Sequence, residues 1–90
     1  MTMAQNNLWT HRKKMGLSQK KTASIMGIKR TNDLSRYEHG AKLPNLLNAL
    51  KLEIIYHTPV AFLFADLYEG LKKEIRGREE KLKKDIENEE

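Results

Sequence analysis

The stretch that decides the fold runs Gly16-Leu-Ser-Gln-Lys-Lys-Thr-Ala23-Ser-Ile-Met-Gly27-Ile-Lys-Arg-Thr-Asn-Asp-Leu34-Ser-Arg-Tyr-Glu-His-Gly40. Its punctuation is helical. Ser18 is a natural N-cap, since its hydroxyl can accept from a free N–H of the first turn, and the helix it opens runs through Met26 to a stop at Gly27. Residues 28–30 form a turn. Thr31 is predicted to cap the next helix, which continues through His39 and ends at Gly40, the residue suited to a positive φ. Two short helices joined this tightly need a small residue where their axes cross, and Ala23 sits one turn before the bend. They also need apolar residues to seal the corner, which Ile28 and Leu34 supply.

Working outward, helix-period patterning holds along the rest of the chain and no run alternates like a strand. Asn7–Met15 reads as a helix ended by Gly16, with Arg12, Lys13 and Lys14 near its C-terminal dipole. Pro44 opens another, from Asn45 to about His57, with Leu46, Leu47, Leu50 and Ile54 on one stripe. Thr58–Pro59 is a start signal for a helix beginning at Val60. Trp9 and Met15 are most simply core residues, and Phe62 and Phe64 cover the core's edge or make a dimer contact. The fold class is therefore all-α, with a five-helix domain over residues 1–65. Residues 66–90 form a tail in which seven Lys/Arg and nine Asp/Glu crowd around the stripe Leu67, Leu71, Ile75, Leu82, Ile86, with Gly77 weakening the tract. That tail is either a solvated, fraying helical extension or a helix–helix dimer seam.

Ninety residues suffice for one small core and exclude an enzyme built around an interdomain cleft. Without cysteine there is no disulfide, thiol chemistry or cysteine-ligated metal. The longest unbroken apolar run, Val60–Ala65, is far short of the ~20 residues that span a bilayer. No secretory pattern opens the chain, so a cytoplasmic location is expected. His11, His39 and His57 share no metal-ligand or acid–base spacing, no glycine-rich phosphate loop exists, and Glu79-Glu80 lies in a solvated charge run, so no enzyme, cofactor or small-molecule substrate is expected. Charge is unevenly divided: residues 1–45 carry nine Lys/Arg against two acids, residues 46–90 eight against ten. A compact basic half is either a footprint for phosphates or a solvated face.

The corner quoted above is a helix-turn-helix, the motif whose second helix lies in a DNA major groove. The stretch resembles the Cro/CI-type (phage repressor, XRE-like) helix-turn-helix family over about Leu8 to Phe64. The markers are Gly-Leu-Ser-Gln at 16–19, Ala23, Gly27-Ile28, the run Ser-Arg-Tyr-Glu-x-Gly at 35–40, Pro44 and the Val60…Phe64 ending. The resemblance implies a five-helix lambda-repressor-like DNA-binding domain with a charged C-terminal extension, acting as a dimeric transcriptional regulator on a palindromic operator. The chain departs from the family by one extra residue between the turn glycine and the apolar residue of the third helix. The shorter register would bury Asp33, which desolvation forbids, so the insertion falls around Lys29–Thr31 and Leu34 is the buried residue. Thr22 stands where an aliphatic is common, implying a weaker contact or partial exposure.

At 100° per residue, Leu34, Tyr37 and Glu38 share one side of the third helix while Asn32, Ser35, Arg36 and His39 share the other. Arg pairs bidentately with guanine O6/N7 and Asn with adenine N6/N7, so Asn32 and Arg36 are the expected base readers, with Thr31, Ser35 and Lys29 as auxiliaries. Asp33 either favours the helix dipole or accepts from a cytosine amino group. Lys20 and Lys21 occupy the first turn of the second helix, where the dipole disfavours cations and an acid at 21 would have completed a capping box. Local stability argues against them and phosphate binding argues for them. Ser18, Gln19, Lys20, Lys21 and Arg30 are accordingly the expected phosphate contacts. Glu38 faces inward and needs a partner, for which Arg12 is the candidate, as the resemblance also implies.

These readings make a sequence-specific double-stranded DNA-binding regulator, most simply a repressor and a homodimer, without a membrane role. The competing reading is an antitoxin-like or co-regulator interaction module, in which the tail binds a protein partner and DNA contact is secondary.

Overall fold

The computed structural model describes residues 6–89, so the outer ends of the 1–65 and 66–90 units fall outside the described residues. Six helices follow one another: α1 (Leu8–Lys14), α2 (Gln19–Met26), α3 (Thr31–Glu38), α4 (Leu46–Tyr56), α5 (Val60–Leu63) and α6 (Ala65–Glu87). No strand occurs among the described residues. The first five enclose the core and α6 is the charged extension.

Each boundary has a local cause. Ser18 Oγ accepts from the Lys21 amide at 3.0 Å, closing the first turn of α2. Gly27 ends α2 with φ +76°, a left-handed conformation that lets its N–H and that of Ile28 turn back onto the last carbonyls. Asn45 Oδ1 caps α4 by accepting from the Asn48 amide at 2.8 Å. The third helix differs from expectation at its start. Thr31 is its first helical residue, and Arg30 takes the cap position with extended backbone and no side-chain cap. The helix therefore begins one residue earlier than a Thr31 cap would place it, and the extended backbone ends at Arg30.

Leu8, Met26, Leu34, Tyr37, Leu52, Tyr56, Leu63 and Phe64 form the core. Leu34 is fully buried, so the register that admits an extra turn residue is the one adopted. Ala23 is buried and Ile28 half-buried at the α2–α3 corner, as their sizes require. Thr22 is fully enclosed rather than partly exposed: its hydroxyl donates to Ser18 O at 2.9 Å, so the polar atom is satisfied and only its methyl meets the interior.

Two assignments of core residues are corrected. Trp9 is 55% and Met15 43% exposed. On α1 the inward pair is Leu8 and Arg12, one turn apart, and Trp9 is turned about 100° away, where its ring lies under Lys13 Nζ at 5.5 Å. Of the two phenylalanines, Phe64 is buried and Phe62 is exposed. On α4 the stripe Leu46, Leu47, Leu50 and Ile54 faces solvent, while Ala49, Leu52 and Tyr56 face in. The reason is polar. Asn48 Nδ2 donates to Tyr37 Oη (3.1 Å), Lys51 Nζ to the terminal carbonyl of Met26 in α2 (2.9 Å), and Glu53 Oε1 accepts the Val60 amide (2.8 Å). These three residues tie α4 to its neighbours and turn its leucine stripe outward.

The tail is one continuous helix of 23 residues running through Gly77, and no residue of it is fully buried. Its own ion pairs, Arg78–Glu74 at 2.6 Å and Arg76–Glu79 at 2.9 Å, sit one turn apart and support it modestly.

Candidate nucleic-acid interface

The face formed by the start of α2 and the outer side of α3 rests on a buried polar clamp. Arg12 of α1 donates from Nε to Glu38 Oε2 at 2.6 Å and from Nη2 to Oε1 at 3.1 Å, a bidentate pair. Its remaining nitrogen, Nη1, donates to Leu17 O at 2.9 Å. Gln19 Nε2 donates to Glu38 Oε1 at 3.0 Å. The two charged side chains are 7% and 3% exposed, so neither is solvated and each depends on the other. The hydrogen bond and charge of Glu38 push the Arg12 pKa above its ordinary value, while burial pulls the other way. The clamp thereby ties the first helix and the N-terminus of α2 to the end of α3.

Leu34 and Tyr37 are buried and Glu38 is clamped, so the opposite side of α3 must face out. Asn32 is exposed, Arg36 has 59% of its side chain exposed, and Thr31 and Ser35 are half-buried beside them. Lys29 and Arg30 are exposed in the turn, and Lys20 and Lys21 are exposed on the first turn of α2. These four cations have no ion pair among the described residues. Gln19 is half-buried with one amide hydrogen given to Glu38, which leaves the second. Ser18 spends an acceptor lone pair on its cap and keeps its hydroxyl proton.

Two sets of contacts go beyond the sequence reading. Asp33 Oδ1 lies 3.4 Å from Lys42 Nζ and 3.8 Å from Arg36 Nη1, so this half-buried carboxylate is shared by two cations. The Arg36 contact is an i,i+3 pair that helical spacing could have shown; Lys42 lies in the loop beyond Gly40, and no local pattern brings it back. His39, exposed at the C-cap, has Nδ1 2.7 Å from Ser35 O, which occupies that ring nitrogen with the backbone.

The arrangement can hold an anionic backbone along the α2 N-terminus and the turn while offering amide and guanidinium groups from α3 to whatever lies between. No cluster of His, Asp and Glu suited to a metal ion occurs among the described residues. No helix of the described residues is long and apolar enough to cross a membrane.

The family described as helix-turn-helix matches this chain over residues 10–63, which runs from within α1 to the end of α5 and takes in the whole corner. No curated protein matches the chain. Members of that family bind DNA and are generally not enzymes. The chain belongs to the Cro/CI-type, XRE-like helix-turn-helix family of DNA-binding transcriptional regulators.

Proposed function

We propose that this protein is a cytoplasmic, sequence-specific transcriptional repressor that binds double-stranded DNA as a homodimer on a palindromic operator. One observation carries the reading: the side of α3 opposite the clamp is exposed, and it is flanked by four cations without an acidic partner among the described residues. Two copies would set two α3 helices into successive major grooves, roughly 34 Å apart. Lys20, Lys21 and Arg30, with Ser18 Oγ–H and the free amide hydrogen of Gln19, hold phosphates and set the register. Asn32 and Arg36 read base edges, with Thr31, Ser35 and Lys29 beside them. Occupying the operator excludes polymerase.

A second reading draws on the exposed leucines of α4: an interaction module that meets a protein partner and touches DNA only secondarily. Selection of duplexes from a random pool, followed by salt titration, separates the two. A DNA regulator yields a two-fold symmetric site and a log–log salt slope near −0.9 per phosphate contacted; a partner-binding module yields neither. On the selected duplex Arg36→Ala should cost ~1–3 kcal/mol and relax one base position, whereas Lys20→Ala should weaken every sequence alike and flatten the slope. Equal, sequence-independent losses from both would refute this division of roles.

A further inference from the structure

We propose that α6 pairs with α6 of a second copy in antiparallel orientation, each helix delivering its C-terminal apolar residues into a groove at the base of the other. This rests on the homodimer reading above and says where and how the copies meet.

Three observations support it. The first is spacing. Leu67, Leu71, Ile75, Arg78, Leu82 and Ile86 fall within an arc of about 100° of α6. Tyr68, Leu71, Ile75, Leu82 and Ile86 are between 44% and 61% exposed. Each member of the stripe recurs eleven residues on, 67 with 78, 71 with 82, 75 with 86, and an eleven-residue period keeps a seam straight or slightly right-handed. The steps between neighbours, four, four, three, four, four, read the same in both directions. The stripe is therefore complementary to its own reverse. In that register Leu67 meets the partner's Ile86, Leu71 the partner's Leu82, and Ile75 the stem of the partner's Arg78.

The second is the groove. An apolar recess of about 370 Å³ opens where α6 leaves the domain, lined by Leu43, Pro44, Val60 and Phe64 together with Leu67 and Leu71 of the stripe. It lies at the level where the antiparallel register brings the partner's Leu82 and Ile86. Beyond it, Ile75, Leu82 and Ile86 are exposed and left uncovered by the described residues.

The third is charge. Residues 66–78 carry a net +1 and residues 79–90 a net −3. A parallel pair would lay the acidic halves along each other and set Arg78 against itself in the seam. The antiparallel pair puts unlike halves together and leaves each Arg78 stem beside an isoleucine, with its guanidinium on Glu74 at the solvent edge.

The test uses the full chain, which contains no cysteine. Sedimentation of the wild type should show a dimer at micromolar concentration. Leu82→Asp should give a monomer with at least thirty-fold weaker association. The monomer should remain folded, because Leu82 is 61% exposed and lies outside the core, and its melting should fall only to that of wild type diluted until it dissociates. Leu71→Cys and Leu82→Cys chains, mixed under mild oxidation, should cross-link to each other, and neither should cross-link efficiently to itself. Self-cross-linking of each alone would overturn the orientation. A Leu82→Asp chain that stays dimeric would overturn the site and move the interface elsewhere, for instance to the α4 leucines. Both results are read without DNA. A wild type that pairs as described but ignores a mixed-sequence 30-bp duplex in dilute buffer would refute the DNA-binding reading and support this one.

Discussion

Replacing Glu38 by alanine removes one end of a buried ion pair and strands the other. The carboxylate accepts from Arg12 at 2.6 and 3.1 Å and from Gln19 at 3.0 Å, at 3% side-chain exposure. After truncation Arg12 keeps only its bond to Leu17 O for a guanidinium that is 7% exposed. An uncompensated buried charge of this kind costs ~3–5 kcal/mol, less than the summed hydrogen bonds because water can enter the space vacated by the carboxylate. Small domains hold roughly 5–15 kcal/mol in all, so the variant should lose a large share of its stability and melt lower by roughly 12–40 °C. Urea unfolding followed by circular dichroism gives the number, with an unchanged m-value as the sign that only stability moved. The Arg12→Met, Glu38→Leu double variant should recover most of the loss, since well-packed apolar replacement of a buried pair is often neutral. A loss below about 1 kcal/mol for Glu38→Ala, or a double variant worse than the single, would refute the claim that the pair is desolvated and mutually dependent.

Tyr56 gives a pH prediction. Its hydroxyl is buried without a hydrogen-bond partner among the described residues, and burial pushes its pKa above the ordinary value, with the neighbouring Thr22 hydroxyl acting in the opposite direction. A raised folded pKa means stability is complete below the unfolded value near ~10 and is lost as pH climbs toward the folded one. Tyr56→Phe should abolish that alkaline loss and cost under about 1 kcal/mol at neutral pH, readable from melts between pH 7 and about 11. Asp33→Asn frees Arg36 and Lys42 and should raise affinity for a mixed-sequence duplex several-fold at low salt, with the gain shrinking as salt rises. If Asp33 instead accepts from cytosine, selection with the variant will show a changed preference at one position. An added Cβ at Gly77 meets nothing within 4 Å, so Gly77→Ala should strengthen α6 by about 0.5–1 kcal/mol and raise helicity at 222 nm.

The corner itself was legible because each of its requirements is local. A cap at Ser18, a positive φ at Gly27 and Gly40, and the choice of Leu34 over Asp33 for the interior all follow from chemistry within a few residues. The pairing of Arg12 with Glu38 was legible for a different reason: an inward carboxylate on α3 demands a cation, and among the seventeen Lys/Arg the family resemblance points to Arg12. The orientation of α4 was not legible, because the helix is apolar on both sides and the side that wins is set by partners far along the chain: Tyr37, Met26 and Val60. Trp9 faces out although a core place was expected, since a ring next to an inward leucine points where the helix turns it. At the interface, the roles of the cations rest on family membership and exposure, and it was the return of Lys42 to Asp33 that required coordinates.

Helix α3 keeps its scaffold duties and its outward chemistry on separate sides. Leu34, Tyr37 and Glu38 do all the holding, while Asn32, Ser35 and Arg36 hold nothing in the core. A protein divided this way can be retargeted: the outer positions can be rewritten in a library without disturbing the framework, and new operators can be acquired by few substitutions. Asp33 alone straddles the divide, tethering Arg36 and a loop lysine, so it is the position where changed specificity would carry a mechanical side effect.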